Sequence, residues 1–407
     1  MSRRLTNTDP ALRHGWHPVA LSRELGAEPL GVRLLGEPWV LARLGHSNGQ
    51  QRADTPGGQQ RADTPGGQER AGTPGGQERA GGTLVAFEDR CPHRLAPLSA
   101  GRVDGDSLVC PYHGWRFGAD GGCTAVPALG PGVPAPRRAR AGAAWGVVER
   151  HGLVWIAPDE PFSEIMDLPE DGLDGFDSVW MEPAESSAAA GLLADNFLDT
   201  AHFPFVHAGT IGADEDMLVP PYRVEPDGDG FRVVMEQDVA NPEDPGVAAG
   251  RRPLVQRRVS TYVFRPPFML RLHMTYPDAG FTNVIYFCLQ PRADDATRVY
   301  TRILRDDLGG DTARLADAAR FEQAILDEDL ALQNLFTIDG LPLISGDGEL
   351  AEEVSTRADA AGVALRRVLA AYIARADRYA RRPTPLTDTG DRAPSPTPRR
   401  PPTPATR

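Results

Sequence analysis

The segment from Asn196 to His207 concentrates side chains that can bind a metal ion. His202 and His207 are five residues apart, and on an uninterrupted helix they would point about 140° away from each other. Pro204 lies between them, lacks a backbone donor and disfavours helical geometry at the residue before it. We therefore predict that a helix ends near His202 and that the chain then turns, so that the two imidazoles converge.

Asp199 precedes His202 by three residues, a spacing that brings two side chains onto one helix face. Two converging histidines that leave room for a carboxylate are typical of a metal site with open positions. For the histidine pair alone, a helix end with two packed or solvent-facing imidazoles is the simpler interpretation. A second group of possible ligands, upstream in the chain, favours the metal site.

This second group consists of two Cys/His pairs, Cys91-Pro92-His93-Arg94 and Cys110-Pro111-Tyr112-His113-Gly114-Trp115. Each pair offers one thiolate and one imidazole. The set could bind zinc tetrahedrally, or a two-iron, two-sulfur cluster with cysteines on one iron and histidines on the other. Zinc satisfies the ligand count equally well, whereas the spacing and the flanking Pro, Gly and Trp residues favour the cluster. Such a cluster would act as a one-electron relay.

The two groups together resemble a known enzyme family. The pairs beginning at Cys91 and Cys110 are similar to the Rieske iron–sulfur motif, and the segment from Asn196 to His207 resembles the mononuclear iron motif of Rieske-type non-haem iron oxygenases. Both motifs in this order are typical of the terminal oxygenase (α) component. The resemblance covers roughly residues 10–45 and 83–380, and it is greatest to the α-only branch of monooxygenases and demethylases.

The resemblance implies two sets of ligands. A Rieske [2Fe–2S] cluster would be bound by Cys91, His93, Cys110 and His113, and a mononuclear Fe(II) by His202, His207 and one carboxylate. The run Asp327-Glu328-Asp329 supplies three candidate carboxylates, each of which could instead lie on a solvated helix face. The family's Glu-Asp pattern with a downstream Gln singles out Asp329, because Glu328 and Gln333 match its flanks. Asp327 is the second candidate, and helical periodicity alone does not separate the two.

Electron delivery in the family crosses subunits, because the cluster of one subunit serves the iron of its neighbour in a ring, usually a trimer. The resemblance thus implies a homotrimer in which Asp199 contacts His202 of its own chain and His113 of the next. An acid that only orients His202 is the alternative, and the two roles are compatible. Asn196 matches a family position near the iron, without being a ligand.

The predicted function is that of a terminal oxygenase that uses O2 to hydroxylate an aromatic or alicyclic small molecule, with O- or N-demethylation as one outcome. The chain has no evident dinucleotide fingerprint, so electrons from NAD(P)H would arrive through a separate ferredoxin or flavin reductase. The alternatives are an arene cis-dihydroxylating dioxygenase, a Rieske electron-transfer protein with a non-catalytic second domain, and a structural zinc protein. About three irons per chain would indicate the oxygenase and about two a carrier.

Elements on both sides of the motifs must position these residues. Strand-like segments are predicted over residues 14–44 and 83–87, as a hairpin around 226–229, and at 258–264, 269–276, 282–290 and 297–304. Alternation in the later strands is typical of an antiparallel sheet with one face packed and the other lining a cavity. We predict helices at about 312–336 and 356–380 and substrate contacts among 258–290. The fold class is α+β.

We predict an all-β Rieske domain over residues 14–160, followed over 161–381 by a catalytic domain with a curved antiparallel sheet flanked by helices, of the helix-grip kind. Residues 1–13 form an N-terminal extension. Nine-residue repeats rich in Gly, Pro and Gln at about 46–82 lack large apolar residues, and the tail at 382–407 is rich in Pro, Thr and Arg. Both compositions predict disorder, the first as a loop expansion.

Composition limits the compartment and the partners. A net charge of −13 argues against nucleic acid or an anionic membrane as the main partner. No apolar run approaches the roughly 20 residues needed to span a bilayer, and no apolar region follows the N-terminal arginines. We therefore expect a cytoplasmic protein. In a reducing cytosol, Cys123 and Cys288, which lie outside the ligand pattern, are predicted to be ordinary buried thiols.

Overall fold

A computed structural model describes residues 3–45, 78–79, 82–208, 210–211, 217–241, 244–344 and 353–381. The predicted repeat insertion and the C-terminal tail lie almost entirely outside these ranges. The strands of the N-terminal part are β1 (Arg4–Leu5), β2 (His17–Leu21), β3 (Leu30–Leu34), β4 (Glu37–Leu44), β5 (Glu78–Arg79), β6 (Gly82–Glu88), β7 (Arg102–Asp104), β8 (Ser107–Val109), β9 (Arg116–Phe117), β10 (Cys123–Ala125), β11 (Gly146–Arg150) and β12 (Leu153–Ala157).

The N-terminal part consists of small antiparallel sheets that hold two loops side by side. The strand orders are β3-β4-β6-β5, β7-β8-β9-β10 and β11-β12-β2. The loop after β6 contains Cys91 and His93, and the loop between β8 and β9 contains Cys110 and His113. Buried apolar side chains such as Phe87, Leu98 and Phe117 pack beneath these loops, so the Cys/His residues are presented by rigid strand ends.

The C-terminal part contains β13 (Asp177–Trp180), β14 (Ala184–Ser186), α1 (Ala190–Leu198), α2 (Phe203–Val206), β15 (Arg223–Asp227), β16 (Gly230–Ala240), α3 (Pro245–Ala248), β17 (Val255–Arg265), β18 (Met269–Tyr276), β19 (Phe281–Ala293), β20 (Ala296–Arg305), α4 (Thr312–Gln333), β21 (Leu341–Pro342) and α5 (Ala360–Ala380). Its main sheet is antiparallel, in the order β13-β20-β19-β18-β17-β16-β15, and β14 also pairs with β20.

Alternating side chains in the main sheet form its two faces. In β18, Leu272 and Met274 lie on one face while Arg271 and His273 lie on the other, as the two-residue period of a strand requires. Helices α1, α4 and α5 pack on the sheet and on one another. The predicted α+β class, with small all-β sheets before a larger antiparallel sheet flanked by helices, is confirmed.

The predicted strands and long helices are found with shifted ends. Helix α4 ends at Gln333, and α5 begins at Ala360 after a single 3-10 turn over Arg357–Asp359. Cys288 is buried as predicted, but the prediction for Cys123 was wrong, because its side chain is only partly buried.

The N-terminal residues pack against the C-terminal part. Strand β1 pairs with β21, and both Leu5 and Leu12 are buried in the main core. The first residues of the chain therefore pack against the sheet and helices of the C-terminal part. The division of the chain at residue 160 stays a prediction.

Candidate functional site

The two histidines are brought together by a break between two helices. Helix α1 ends at Leu198, and Asp199 follows in an extended conformation. His202 occupies the N-cap position of α2, whose first turn contains Pro204. A proline in the first turn of a helix sacrifices no hydrogen bond, because the N–H groups there lack helical partners. The prediction of a helix ending near His202 was wrong, yet the imidazoles converge, with Nε2 atoms 3.2 Å apart.

Helix α4 adds a carboxylate to this pair. Asp329 Oδ1 lies 3.3 Å from His202 Nε2 and 3.2 Å from His207 Nε2. The three donor atoms thus form a nearly equilateral triangle. With metal–ligand bonds of about 2.1 Å, mutually perpendicular ligands are separated by roughly 3.0 Å, so the triangle fits one face of an octahedral ion. Two histidines and a carboxylate in this arrangement suit Fe(II) with open positions for other ligands.

Carboxylates on the far side of each imidazole fix the ring orientation. His202 Nδ1 lies 3.3 Å from Asp199 Oδ2, and His207 Nδ1 lies 2.8 Å from Glu328 Oε2. An Nδ1–H that donates to a carboxylate leaves the Nε2 lone pair free for a metal. Each histidine is therefore oriented with its Nε2 toward the centre of the triangle.

The electrostatics of the triangle favour a cation. Burial opposes protonation of His202, but hydrogen bonds and charges from Asp199 and Asp329 outweigh it and raise its pKa to about 9. Burial likewise opposes protonation of His207, and Asp329 and Glu328 raise its pKa. For Asp329, burial opposes ionisation, while the two imidazoles lower its pKa. The site thus holds protons that a metal ion would displace on binding.

The other acidic and amide candidates lie at different distances from the triangle. Asp327 faces outward and accepts a hydrogen bond from Gln323 Nε2 at 2.8 Å. Asn196 Nδ2 donates to Asp329 Oδ1 at 3.0 Å and lies 3.3 Å from His202 Nε2. The geometry therefore favours Asp329 over Asp327 as the ligand, and it places Asn196 beside the candidate ligands.

The two Cys/His loops share one backbone turn. The carbonyl of Cys91 accepts the N–H of Leu95 at 2.8 Å, and that of Cys110 accepts the N–H of Gly114 at 3.1 Å. Both residues that donate these hydrogen bonds have a positive φ, 59° for Leu95 and 68° for Gly114. In the second loop the position is a glycine, which adopts this conformation without strain. The His93 and His113 rings lie with centroids 4.4 Å apart, and the Cys91 thiol contacts that of Cys110, so the two loops bring the four residues together.

The chemistry of this donor set fits an iron–sulfur cluster. Burial and the adjacent Cys110 thiol raise the pKa of Cys91 to about 11, so its thiolate requires a neighbouring positive charge such as iron. Burial, His113 and Arg94 lower the pKa of His93, which favours the neutral imidazole that binds metals. His93 Nδ1 is buried without a hydrogen-bond partner among the described residues. Trp115 stacks on the His93 ring with centroids 4.5 Å apart.

A cavity of about 140 Å³ adjoins the His202–Asp329 side of the triangle. The predicted strand region supplies much of its wall: Arg258, Tyr262, Leu272, Met274, Tyr276, Asn283, Ile285 and Phe287. The sequence interpretation missed the contribution of α4, which adds Phe321, Glu322, Ile325 and Leu326. These positions precede Asp329 at three- to four-residue intervals and so share its helix face. Once Asp329 was chosen as the candidate ligand, this spacing could have predicted that these residues face the cavity.

Comparison with known proteins identifies the family. Residues 15–137 match the Rieske [2Fe-2S] domain, and residues 186–375 match the vanillate O-demethylase oxygenase C-terminal domain. The chain belongs to the Rieske non-haem iron oxygenases. The sequence-based family assignment is therefore confirmed, as are the oxidoreductase class and the Rieske [2Fe–2S] cluster.

Individual relatives of this oxygenase include demethylases and monooxygenases. It is 29% identical to methylxanthine N1-demethylase NdmA of Pseudomonas putida over 309 residues, which cover 73% of this chain and 74% of that protein. It is 32% identical to the toluene-4-sulfonate monooxygenase system iron-sulfur subunit TsaM1 of Comamonas testosteroni over 277 residues, which cover 64% and 66%. The structure of an NdmA QL mutant with theobromine superposes with a TM-score of 0.70 and 27% identity, covering 91% and 94%.

A terminal oxygenase role follows from these relatives, one of which is named as a subunit of a multicomponent system. Mononuclear iron is typical of the family, and the triangle of His202, His207 and Asp329 has the donor set for it. Within the described part of the oxygenase, no helix has both the length and the apolar character to cross a membrane.

Proposed function

We propose that this oxygenase removes methyl groups from nitrogen or oxygen on a small, largely planar ring compound. The observation that carries the proposal is the location of two candidate iron ligands, His202 and Asp329, in the wall of a mostly apolar cavity of about 140 Å³. A cavity of about 150 Å³ accommodates benzene, so the volume suits a single six-membered ring. The similarity to a methylxanthine N1-demethylase supports the same reaction class.

The two metal centres divide the chemistry between them. When bound, iron would activate O2 beside the substrate, and the [2Fe–2S] cluster would supply electrons one at a time. We assign iron to His202, His207 and Asp329, and the cluster to Cys91, His93, Cys110 and His113. Hydroxylation of the methyl carbon gives a hemiaminal or hemiacetal that loses formaldehyde. One O2, two electrons and two protons thus yield the demethylated ring, formaldehyde and water.

The cavity wall contains groups suited to orienting such a ring. Phe287 stacks on Phe197, with ring centroids 4.6 Å apart, and both side chains line the cavity. Asn283 Oδ1 and Thr301 Oγ1 are buried and have no hydrogen-bond partner among the described residues. Because buried polar atoms normally have partners, we assign these two as recognition groups for a polar substituent on the substrate.

Electron transfer between subunits is part of the proposal. The Asp199 side chain keeps 40% of its accessibility although one oxygen contacts His202. His113 is exposed at the tip of its loop, next to Tyr112, which is 66% exposed. Exposure at both positions leaves each free to meet a second copy. We therefore propose a homotrimer in which Asp199 links His202 to the neighbouring subunit's cluster, with NAD(P)H electrons supplied through a separate ferredoxin or flavin reductase.

Oxygen uptake with a surrogate ferredoxin and reductase tests the proposal across methoxy- and N-methyl-substituted aromatic, heteroaromatic and alicyclic compounds. The expected result is formaldehyde in proportion to the demethylated product, with one atom from labelled O2 in the formaldehyde before it exchanges with water. A diol carrying both labelled atoms would instead establish cis-dihydroxylation. A preparation that contains both metal centres but consumes no O2 with any compound would contradict the oxygenase assignment for these substrates.

A further inference from the structure

The Nδ1 side of the His207 imidazole, which faces away from the candidate metal site, is connected to the cavity wall by a short series of contacts. Its Nδ1 lies 2.8 Å from Glu328 Oε2, and the same oxygen accepts a hydrogen bond from Thr210 Oγ1 at 2.9 Å. Thr210 is also tied to His207 directly, since its backbone N–H donates to the His207 carbonyl at 2.9 Å. Three side chains and one turn therefore form a closed unit around His207.

The residue after Thr210 is part of the substrate cavity. Ile211 lines the cavity wall, together with Phe203 and His202. A ligand that presses on Ile211 moves the backbone next to Thr210, because consecutive Cα atoms are held about 3.8 Å apart by the peptide unit. The Thr210 hydroxyl, which contacts Glu328, would carry that movement to the Glu328 carboxylate, and Glu328 would carry it to the His207 ring.

We infer that Thr210 and Glu328 are positioning residues that couple substrate packing against Ile211 to the orientation of His207 as an iron ligand. The inference rests on the proposed function, in which this cavity holds the substrate. It assigns roles to two side chains that touch neither the substrate nor the iron.

Burial makes the coupling effective. His207 is only 1% exposed, so its orientation is set by the groups that contact it and not by solvent. The Glu328 carboxylate is 29% exposed, so it can move when its second partner moves. Since Oε2 accepts from both His207 and Thr210, a shift of one donor changes the position of the other. Partners of this kind orient metal-bound histidines and affect metal affinity by about 10- to 100-fold.

The matched pair Thr210→Val and Thr210→Ser tests the coupling. Valine has nearly the shape of threonine but lacks the hydroxyl, whereas serine keeps it. Each Fe(II)-loaded full-length enzyme is treated with nitric oxide, and the electron paramagnetic resonance spectrum is recorded with and without a compound that alters the wild-type signal. We expect Thr210→Val to keep its iron and lose the compound-induced change, and Thr210→Ser to behave as wild type.

Glu328→Ala provides a second measurement, independent of turnover. Loss of the His207 partner should weaken Fe(II) binding by about 10-fold or more, while Glu328→Gln, which retains an acceptor oxygen, should recover most of the affinity. A compound-induced change in Thr210→Val equal to that of the wild type would overturn the inference, as would unchanged Fe(II) affinity in Glu328→Ala. Failure of the wild type to release formaldehyde would overturn the proposed function instead, because neither spectral nor affinity measurements require demethylation.

Discussion

Asp327, Glu328 and Asp329 are consecutive acids on α4, yet each has a different environment. Asp329 faces the two imidazoles, Glu328 contacts the outer nitrogen of His207, and Asp327 turns away to Gln323. Successive helical residues are rotated by about 100°, so one short run supplies a candidate ligand, an orienting group and a solvated side chain. The role of each acid is therefore decided by the direction in which its side chain points from the helix, and residue type alone does not reveal that role.

Substitution of these acids should separate the roles. We expect Asp329→Ala to lose the mononuclear iron, because two histidines without the carboxylate leave the facial site incomplete. Iron content should fall from about three to about two per chain, with the visible spectrum of the cluster unchanged. Asp327→Ala is the matched control, two positions away on the same helix, and should keep all its iron. The reverse outcome would make Asp327 the ligand.

Among the secondary-structure elements, α1 and α5 are joined by an ion-pair network around the buried Arg366, next to the candidate iron site. The Arg366 guanidinium donates to Asp195 at 2.7 and 2.8 Å and to Glu353 at 2.8 and 2.9 Å. Burial opposes ionisation of Asp195 and raises its pKa despite this partner. Asp195 immediately precedes Asn196, so the network fixes the end of α1 from which the Asn196 amide reaches Asp329.

Removal of Arg366 should therefore be costly. Arg366→Ala leaves two carboxylates without their cation. Because these carboxylates are 28% and 30% exposed, the cost should lie between the roughly 1 kcal/mol of a surface pair and the roughly 3–5 kcal/mol of a fully buried one. The adjacent Arg367 is exposed, and Arg367→Ala should change stability by no more than about 0.5 kcal/mol. Chemical denaturation monitored by circular dichroism measures both variants. Equal stabilities would show that the network adds nothing to the docking of α5.

Strand β2 carries a buried histidine that makes stability depend on pH. His17 is fully buried, its Nε2 lies 2.7 Å from the Leu12 carbonyl oxygen, and burial lowers its pKa to about 4. The unfolded chain binds a proton near pH 6.5, whereas the folded chain does not bind it until about pH 4. Stability is therefore retained above pH 6.5 and is lost as the pH falls toward 4, by about 3 kcal/mol for this group.

Urea denaturation at several pH values tests this dependence. His17→Gln removes the titrating group, and the difference in unfolding free energy between wild type and variant should change by about 3 kcal/mol between pH 6.5 and 4. His14→Gln, at a partly exposed histidine nearby, should retain the wild-type dependence. A pH-independent difference for His17→Gln would show that the folded chain accommodates the charged imidazole.

The sequence predicted more of the donors than of the cavity, for physical reasons. Motif spacing singled out His202, His207 and the four Cys/His residues as candidate ligands, because local chain geometry limits which ligands can meet, and the structure brings His202 and His207 together. It could not place the helix end, since Pro204 is compatible with ending one helix or starting another. The contribution of Phe321 and Ile325 to the cavity depends on how α4 packs on the main sheet, a long-range arrangement that no local pattern encodes.

For the whole molecule, the two candidate metal centres lie in different parts of the chain, and each has exposed side chains beside it. Leu95 and Tyr112, on the two Cys/His loops, are 65% and 66% exposed, and Phe205, in α2 between His202 and His207, is 70% exposed. Exposed apolar side chains grouped near functional residues are typical of a surface that meets a partner. A head-to-tail ring of identical copies would bring the loops of one chain to α2 of the next.

Mixing two inactive variants tests this ring. Asp199→Asn should keep both metal centres but form product very slowly, and His113→Ala should lose the cluster but keep the iron site. If electrons cross between subunits, a mixed oligomer contains contacts in which the intact cluster of an Asp199→Asn chain faces the intact iron site of a His113→Ala chain. Random assembly from equal amounts makes about one quarter of the contacts in a closed ring of this kind, so activity should recover to about that fraction of wild type.

Unmixed variants, and variants mixed without dissociation and reassembly, should stay inactive. No recovery in reassembled oligomers that contain both chains would mean that each chain transfers electrons internally, and the assignment of Asp199 as a link between subunits would fail.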